Sequence, residues 1–177
     1  MDTVTKYEIF ELYQISDKTE EEIFGMCEGD DISGNLEYFL EDEEDRGHVK
    51  FMCVAKENEK HVGFMCMIPY FFKTYTTCNI DAAFVDSSRR RRGILKAMYG
   101  TVVEYMRAWM KKLGRNRIYF RLDPVDERCS QNVWKRMGFV PDTLPKDEGI
   151  MKGYDGPGIL MRAYDFHITH LLSVQQQ

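Results

Sequence analysis

One stretch constrains this chain more than any other: a strand that enters a long amphipathic helix through an arginine-rich turn. Ile94, Met98, Val102, Tyr105, Trp109 and Leu113 recur every three or four positions, the spacing of a single apolar helix face. Lys96, Glu104, Arg107 and Lys111 fall on the opposite side. Gly114 follows the last apolar position, where a left-handed helix stop belongs. Directly upstream, Asn79–Val85 is small, apolar and strand-like. Between the two, Arg89–Lys96 reads RRRRGILK. An amphipathic helix fed by a strand must lay its apolar face on a sheet, so the chain belongs to the α/β class.

The remaining elements fit around that unit. Val4–Tyr13 alternates as a first strand. Lys18–Cys27 has helical spacing with Thr19 as a candidate cap, and Asp30–Leu40 is a weaker helix. Phe51–Ala55 and Val62–Ile68 are apolar runs joined by a charged turn, KENEKH, which predicts a hairpin. Ile118, Phe120 and Leu122 alternate with Tyr119 and Arg121 as another strand. Asp126 can cap a helix to about Met137, ended by Gly138-Phe139, and Gly158–Tyr164 reads as a last strand. The expected fold is one layered domain over residues 1–166, with a mixed sheet and a tail, 167–177.

Bulk properties narrow the function. A length of 177 residues suits one domain with a real core. The net charge of -5 argues against nucleic-acid binding through overall charge. The five cysteines form no CxxC pair, and Cys53, Cys66 and Cys78 sit in apolar runs, the pattern of a reducing compartment. No apolar run reaches membrane-spanning length and the N-terminus lacks a signal pattern, so a cytoplasmic protein is expected. His48, His61, His167 and His170 lack zinc-ligand spacing with the cysteines, so no metal is expected.

The turn itself reads as an anion site. The first N–H groups of a helix have no internal partners, and the macrodipole adds partial positive charge there. Gly93 lets a phosphate approach the backbone. Arg90, Arg91, Arg92 and Lys96 can pair with phosphate oxygens. A basic surface patch is the plainer reading, and the strand-to-helix position favours phosphate.

Val85–Leu95, VDSSRRRRGIL, followed by this helix resembles the acetyl-CoA signature of the GNAT N-acetyltransferases. That signature is an Arg or Gln, two residues, Gly, one residue, then Gly or Ala. Arg90 and Gly93 match it; Leu95 departs from its last position, and Arg91 stands where a first glycine is common. Trp134–Phe139, WKRMGF, resembles the family's helix ending in Gly-Phe, and the element order agrees.

The resemblance implies a fold whose strands Asn79–Val85 and Tyr119–Leu122 splay apart, with acetyl-CoA as cofactor and CoA as product. Backbone groups near Phe84 and Val85 would hold the pantetheine arm. The N–H groups of Arg91, Arg92, Gly93, Ile94, Leu95 and Lys96 would cradle the pyrophosphate. Trp134 stands where many members carry a Tyr that acts as general acid, and either packs beside the pantetheine or serves the core alone. Glu127 lies near the place of an Asn that members use on the pantetheine.

Acetyl transfer to an alkyl amine requires a neutral nitrogen. With a pKa near ~10.4, deprotonation at pH 7 costs about 4–5 kcal/mol, so the site must accept a proton. By period two, Asn79, Asp81, Ala83 and Val85 share a strand face, and Asp81 is the acid among them. Asp81 is the candidate general base; a structural Asp bonded to nearby backbone is the other reading. Glu28–Arg46 is rich in Asp and Glu and would attract a cationic acceptor, a small molecule or a protein, unless it is simply a solvated loop. The expected function is transfer of an acetyl group to a primary amine by direct attack on the thioester. The alternative is a non-catalytic CoA-binding or interaction module of the same fold. A homodimer is compatible with either, a membrane with neither, and nucleic acid fits worst.

Overall fold

A computed structural model of the chain describes residues 4–30, 32–40, 49–115, 117–122, 133–141 and 161–164. The acidic run Glu41–Arg46, His48, His167, His170, Asp126, Glu127, Cys129, the start of the last strand and the tail boundary at 166/167 lie outside them. The chain divides into two compact units after Ile118.

The first unit is built on an antiparallel meander. β1 (Thr5–Glu11) pairs with β2 (Phe51–Glu57), β2 with β3 (Lys60–Phe71), and β3 with β4 (Thr76–Val85). The predicted hairpin is present. Its two-residue turn, Asn58-Glu59, has φ of 49° and 64°, the left-handed pair that matches the twist of its strands.

Two helices connect β1 to β2: α1 (Asp17–Cys27) and α2 (Ile32–Leu40). Ser16, not Thr19, caps α1. Its Oγ accepts the Thr19 N–H at 3.2 Å, because a cap bonds the N–H three residues on. Ile23, Cys27, Leu36 and Phe39 bury against Met52, Val54, Phe64, Cys66 and Ile68 on one sheet face.

The intervening residues point the other way, toward α3 (Ile94–Lys112). Phe51 meets Tyr105 and Trp109 edge-on, at centroid distances of 5.5 and 4.9 Å. The buried positions of α3 are Ile94, Met98, Tyr99, Val102, Val103, Met106 and Met110. The expected stripe is therefore turned: Tyr105 and Trp109 flank it, and Leu113 is 51% exposed. Steps of four drift around a 3.6-residue helix, and α3 follows the drift through Met106 and Met110. Gly114 ends it as expected at φ 68°, with the Arg115 N–H reaching back to the Met110 carbonyl at 2.9 Å.

β5 (Ile118–Leu122) begins at the boundary residue, and in the second unit its residues Tyr119–Leu122, like β6 (Val140–Pro141), pair antiparallel with β7 (Met161–Tyr164). A short helical turn over 133–137 ends at Gly138, whose φ is 90°.

Candidate functional site

β4 does not run as an uninterrupted ladder. Asn79 lies opposite Ile68 and Ile80 opposite Met67, but Ala82 lies opposite Cys66 and Ala83 opposite Met65. Asp81 is the extra residue of a β-bulge, which takes it out of the regular pairing and re-aims its side chain. The expectation that Asn79, Asp81, Ala83 and Val85 share a face is corrected. Asn79 is on the face of Ile68, under α1 and α2. Ala83 and Val85 face α3 with Met65 and Gly63. Period two survives only where no residue is inserted.

Burial pushes the Asp81 carboxyl above its ordinary range, and the Lys50 ammonium pulls it back in part. Lys50 is itself held, donating to the Phe39 carbonyl at 2.8 Å. A carboxyl whose pKa burial has raised binds a proton more readily than a free one, which suits it to accept one.

Beyond Val85 the chain turns sharply. The Asp86 side chain accepts from the Ser88 N–H at 2.8 Å, and its own N–H donates to the Val62 carbonyl at 3.0 Å. Arg90 folds back on the strand it has left. Its Nε–H donates to the Val85 carbonyl at 3.0 Å, its guanidinium lies 5.5 Å from the Phe84 ring centroid, and Asp30 is 3.6 Å away. Arg92 donates to Glu57 at 3.1 Å. Arg91 and Lys96 are exposed, Leu95 is half-buried, and Ile94 is core.

The backbone of this turn is shaped for an anion. Arg91 and Gly93 have φ of 66° and 80° on either side of Arg92, the alternation that turns successive N–H groups to one concave side. Gly93 starts α3 with no side-chain cap, so the first helix N–H groups keep their donors for something else. Two of the guanidinium groups expected on phosphate are also engaged within the fold: Arg90 braces Val85 and Asp30, and Arg92 braces Glu57.

Sequence reading missed three residues here: Glu57, Asp30 and Gly63. Glu57 could have been noticed as a carboxylate closing the apolar strand FMCVAKE. Gly63 lies where β3 meets β4 at Val85, and a Cβ there would sit 2.8 Å from the Phe84 carbonyl oxygen.

In the second unit Trp134 is buried, edge-on to Phe139 at 5.3 Å, and its carbonyl accepts the Phe139 N–H at 3.1 Å. Its ring packs on Phe139. Among the described residues no cluster of His, Cys, Asp and Glu could hold a metal ion, and no helix is long and apolar enough to cross a membrane.

The family description "Acetyltransferase (GNAT) family" matches residues 8–139. The chain belongs to the GNAT acetyltransferase family. Solved GNAT structures share its fold. Tetrahymena Gcn5 is 16% identical, with 90% of this chain and 95% of that one covered at a TM-score of 0.63. An aminoglycoside 6'-N-acetyltransferase complexed with coenzyme A is 17% identical, covering 89% and 96% at 0.55. AtaTR bound with AcCoA is 12% identical, covering 97% and 99% at 0.59. No curated protein sequence matches the chain. The matched span takes in β4, the turn and α3 of this GNAT chain, as well as Trp134 and the Gly138-Phe139 step.

Proposed function

We propose that this GNAT chain is an acetyl-CoA-dependent N-acetyltransferase that acts on a primary amine. The observation that carries it is the left-handed, uncapped turn Arg91–Gly93 at the start of α3, a backbone cradle of the kind that binds phosphates. Acetyl-CoA is its cofactor. The pyrophosphate would rest on the N–H groups of Arg91–Lys96, and the pantetheine would run along β4 by Phe84 and Val85. That direction brings the thioester toward the bulge at Asp81.

Each step then has a physical carrier. Asp81 takes the proton from the ammonium, directly or through water, and leaves a neutral nucleophile. The amine attacks the thioester carbonyl, and backbone N–H groups of β4 stabilise the oxyanion. The thiolate leaves as a weak base, with a thiol pKa near ~8.5, so it needs only a hydrogen bond or water. Trp134, an indole with no acidic proton near neutral pH, takes no part in that step. Its use in packing is also the specific observation that favours the second reading, a CoA-binding module without turnover.

Acetyl-CoA turnover over a panel of amines and peptides, with products read by mass spectrometry, separates the two. Tight CoA binding without any product supports the second reading. If product forms, Asp81→Asn should lower turnover by about 10²–10⁴-fold and leave CoA affinity within a factor of about two. The working form of Asp81 is the carboxylate, so wild-type kcat/KM should rise with pH through the raised Asp81 pKa. That rise should be missing from the variant, and an unchanged profile removes Asp81 from the base role.

A further inference from the structure

The anion turn is fastened across the sheet by a single buried carboxylate. Glu57 closes β2, and its side chain is 4% exposed. Its Oε1 accepts from the Thr5 hydroxyl of β1 at 3.0 Å. Its Oε2 accepts from Arg92 Nη1 at 3.1 Å and lies 3.0 Å from Arg89 Nε. The Arg89 N–H is not aligned for a hydrogen bond, so Arg92 is the directed arm and Arg89 contributes charge.

Arg92 is also the residue between the two left-handed positions, Arg91 and Gly93. Its side chain is anchored on Glu57, 35 residues earlier in sequence. Fixing that side chain limits how far the intervening peptide groups can rotate. An anion cradle of backbone N–H groups gains most when those groups need not reorganise on binding. A carboxylate buried with three partners is a durable anchor, since removing one partner of such a set leaves an uncompensated charge.

We propose that Glu57 is a positioning residue for the cofactor: through Arg92 and Arg89 it holds the Arg91–Gly93 backbone open for the pyrophosphate. This rests on the reading of the turn as the acetyl-CoA pyrophosphate cradle. Glu57 acts through these side chains, and its effect belongs to cofactor binding alone.

The test is calorimetric titration of the full chain with CoA, and steady-state kinetics with acetyl-CoA and with S-acetylpantetheine, which lacks the pyrophosphate. Glu57→Gln keeps the side-chain shape and removes the charge. It should weaken CoA about tenfold, the worth of one charge-assisted hydrogen bond. KM for acetyl-CoA should rise by a similar factor at unchanged kcat, and kcat/KM for S-acetylpantetheine should stay within twofold. Unchanged CoA affinity overturns the proposal. So does tighter binding, which would make Glu57 a competitor for the guanidinium groups, and so does an equal loss with both donors.

Arg92→Gln cuts the directed arm and leaves Glu57 beside Arg89. It should discriminate between the donors in the same way, and wild-type CoA affinity in that variant overturns the proposal even if Glu57→Gln does not fold. A wild-type chain that does not bind CoA would instead sink the cradle reading itself.

Discussion

Asp81, the proposed general base, is held against stability at neutral pH. Burial raises its carboxyl above the ordinary value, so folding favours the protonated form. The stability that its protonation contributes is fully present below the unfolded carboxylate pKa and is lost as pH rises through the raised folded one. At pH 7 the folded protein therefore holds a carboxylate that it would hold more easily as the acid. Asp81→Asn should raise Tm at pH 7, and the gain should shrink toward zero as thermal melts are repeated at acid pH. A structural Asp bonded to backbone predicts the reverse, a loss of Tm on substitution. The position was legible in the sequence, because the acid falls in a small apolar strand. Its orientation was not: a bulge is set by pairing with a distant strand, and nothing in the run NIDAAFV marks where the extra residue falls.

At the scale of elements, β3, β4 and α3 meet at Gly63, and the space there is already used. A Cβ at position 63 would lie 2.8 Å from the Phe84 carbonyl oxygen, 3.3 Å from Met98 Cε and 3.4 Å from Val85 Cγ2. The methionine can move, but the carbonyl belongs to the strand that would carry the pantetheine. Gly63→Ala should cost about 1–3 kcal/mol in denaturant melts and weaken CoA binding, since β4 must shift at Phe84 and Val85. Gly93 behaves differently. Its φ is 80°, yet a Cβ there meets nothing within 4 Å. Gly93→Ala should therefore lose only the left-handed penalty, roughly 1–2 kcal/mol, while CoA affinity falls by more than that loss accounts for, because a methyl would stand where phosphate approaches the backbone. If both quantities fell in step, close approach at Gly93 would not be its role. These elements were readable from periodicity because each is long and bounded by a turn or a glycine. The braces between them were not, since the Glu57–Arg92 pair joins residues that no local pattern connects.

Over the whole molecule, charge is unevenly spread in a way that the net value of -5 hides. The basic turn is partly compensated by its own neighbours, Glu57 for Arg89 and Arg92, and Asp30 for Arg90. The first helical pair carries the opposite sign, with Asp17, Glu21, Glu22, Glu28 and Glu37 exposed on or beside α1 and α2. Of these, Glu22 pairs with Lys18 at 3.7 Å and lies within hydrogen-bond distance of His61 Nδ1 at 2.7 Å, so the Lys18 charge offsets part of that field within the fold. What is left attracts cations from a distance set by the Debye length, about 30 Å at 0.01 M salt and about 10 Å at 0.1 M. If the acceptor enters beside these helices, kcat/KM for a polycationic amine should fall several-fold between those two salt concentrations. An amine with no charge other than the reacting nitrogen should change much less over the same range, and KM for acetyl-CoA gives the control for salt acting on the anion turn. A polycation and a simple amine with the same salt response would leave the acidic helices as a solvated surface with no part in choosing the acceptor.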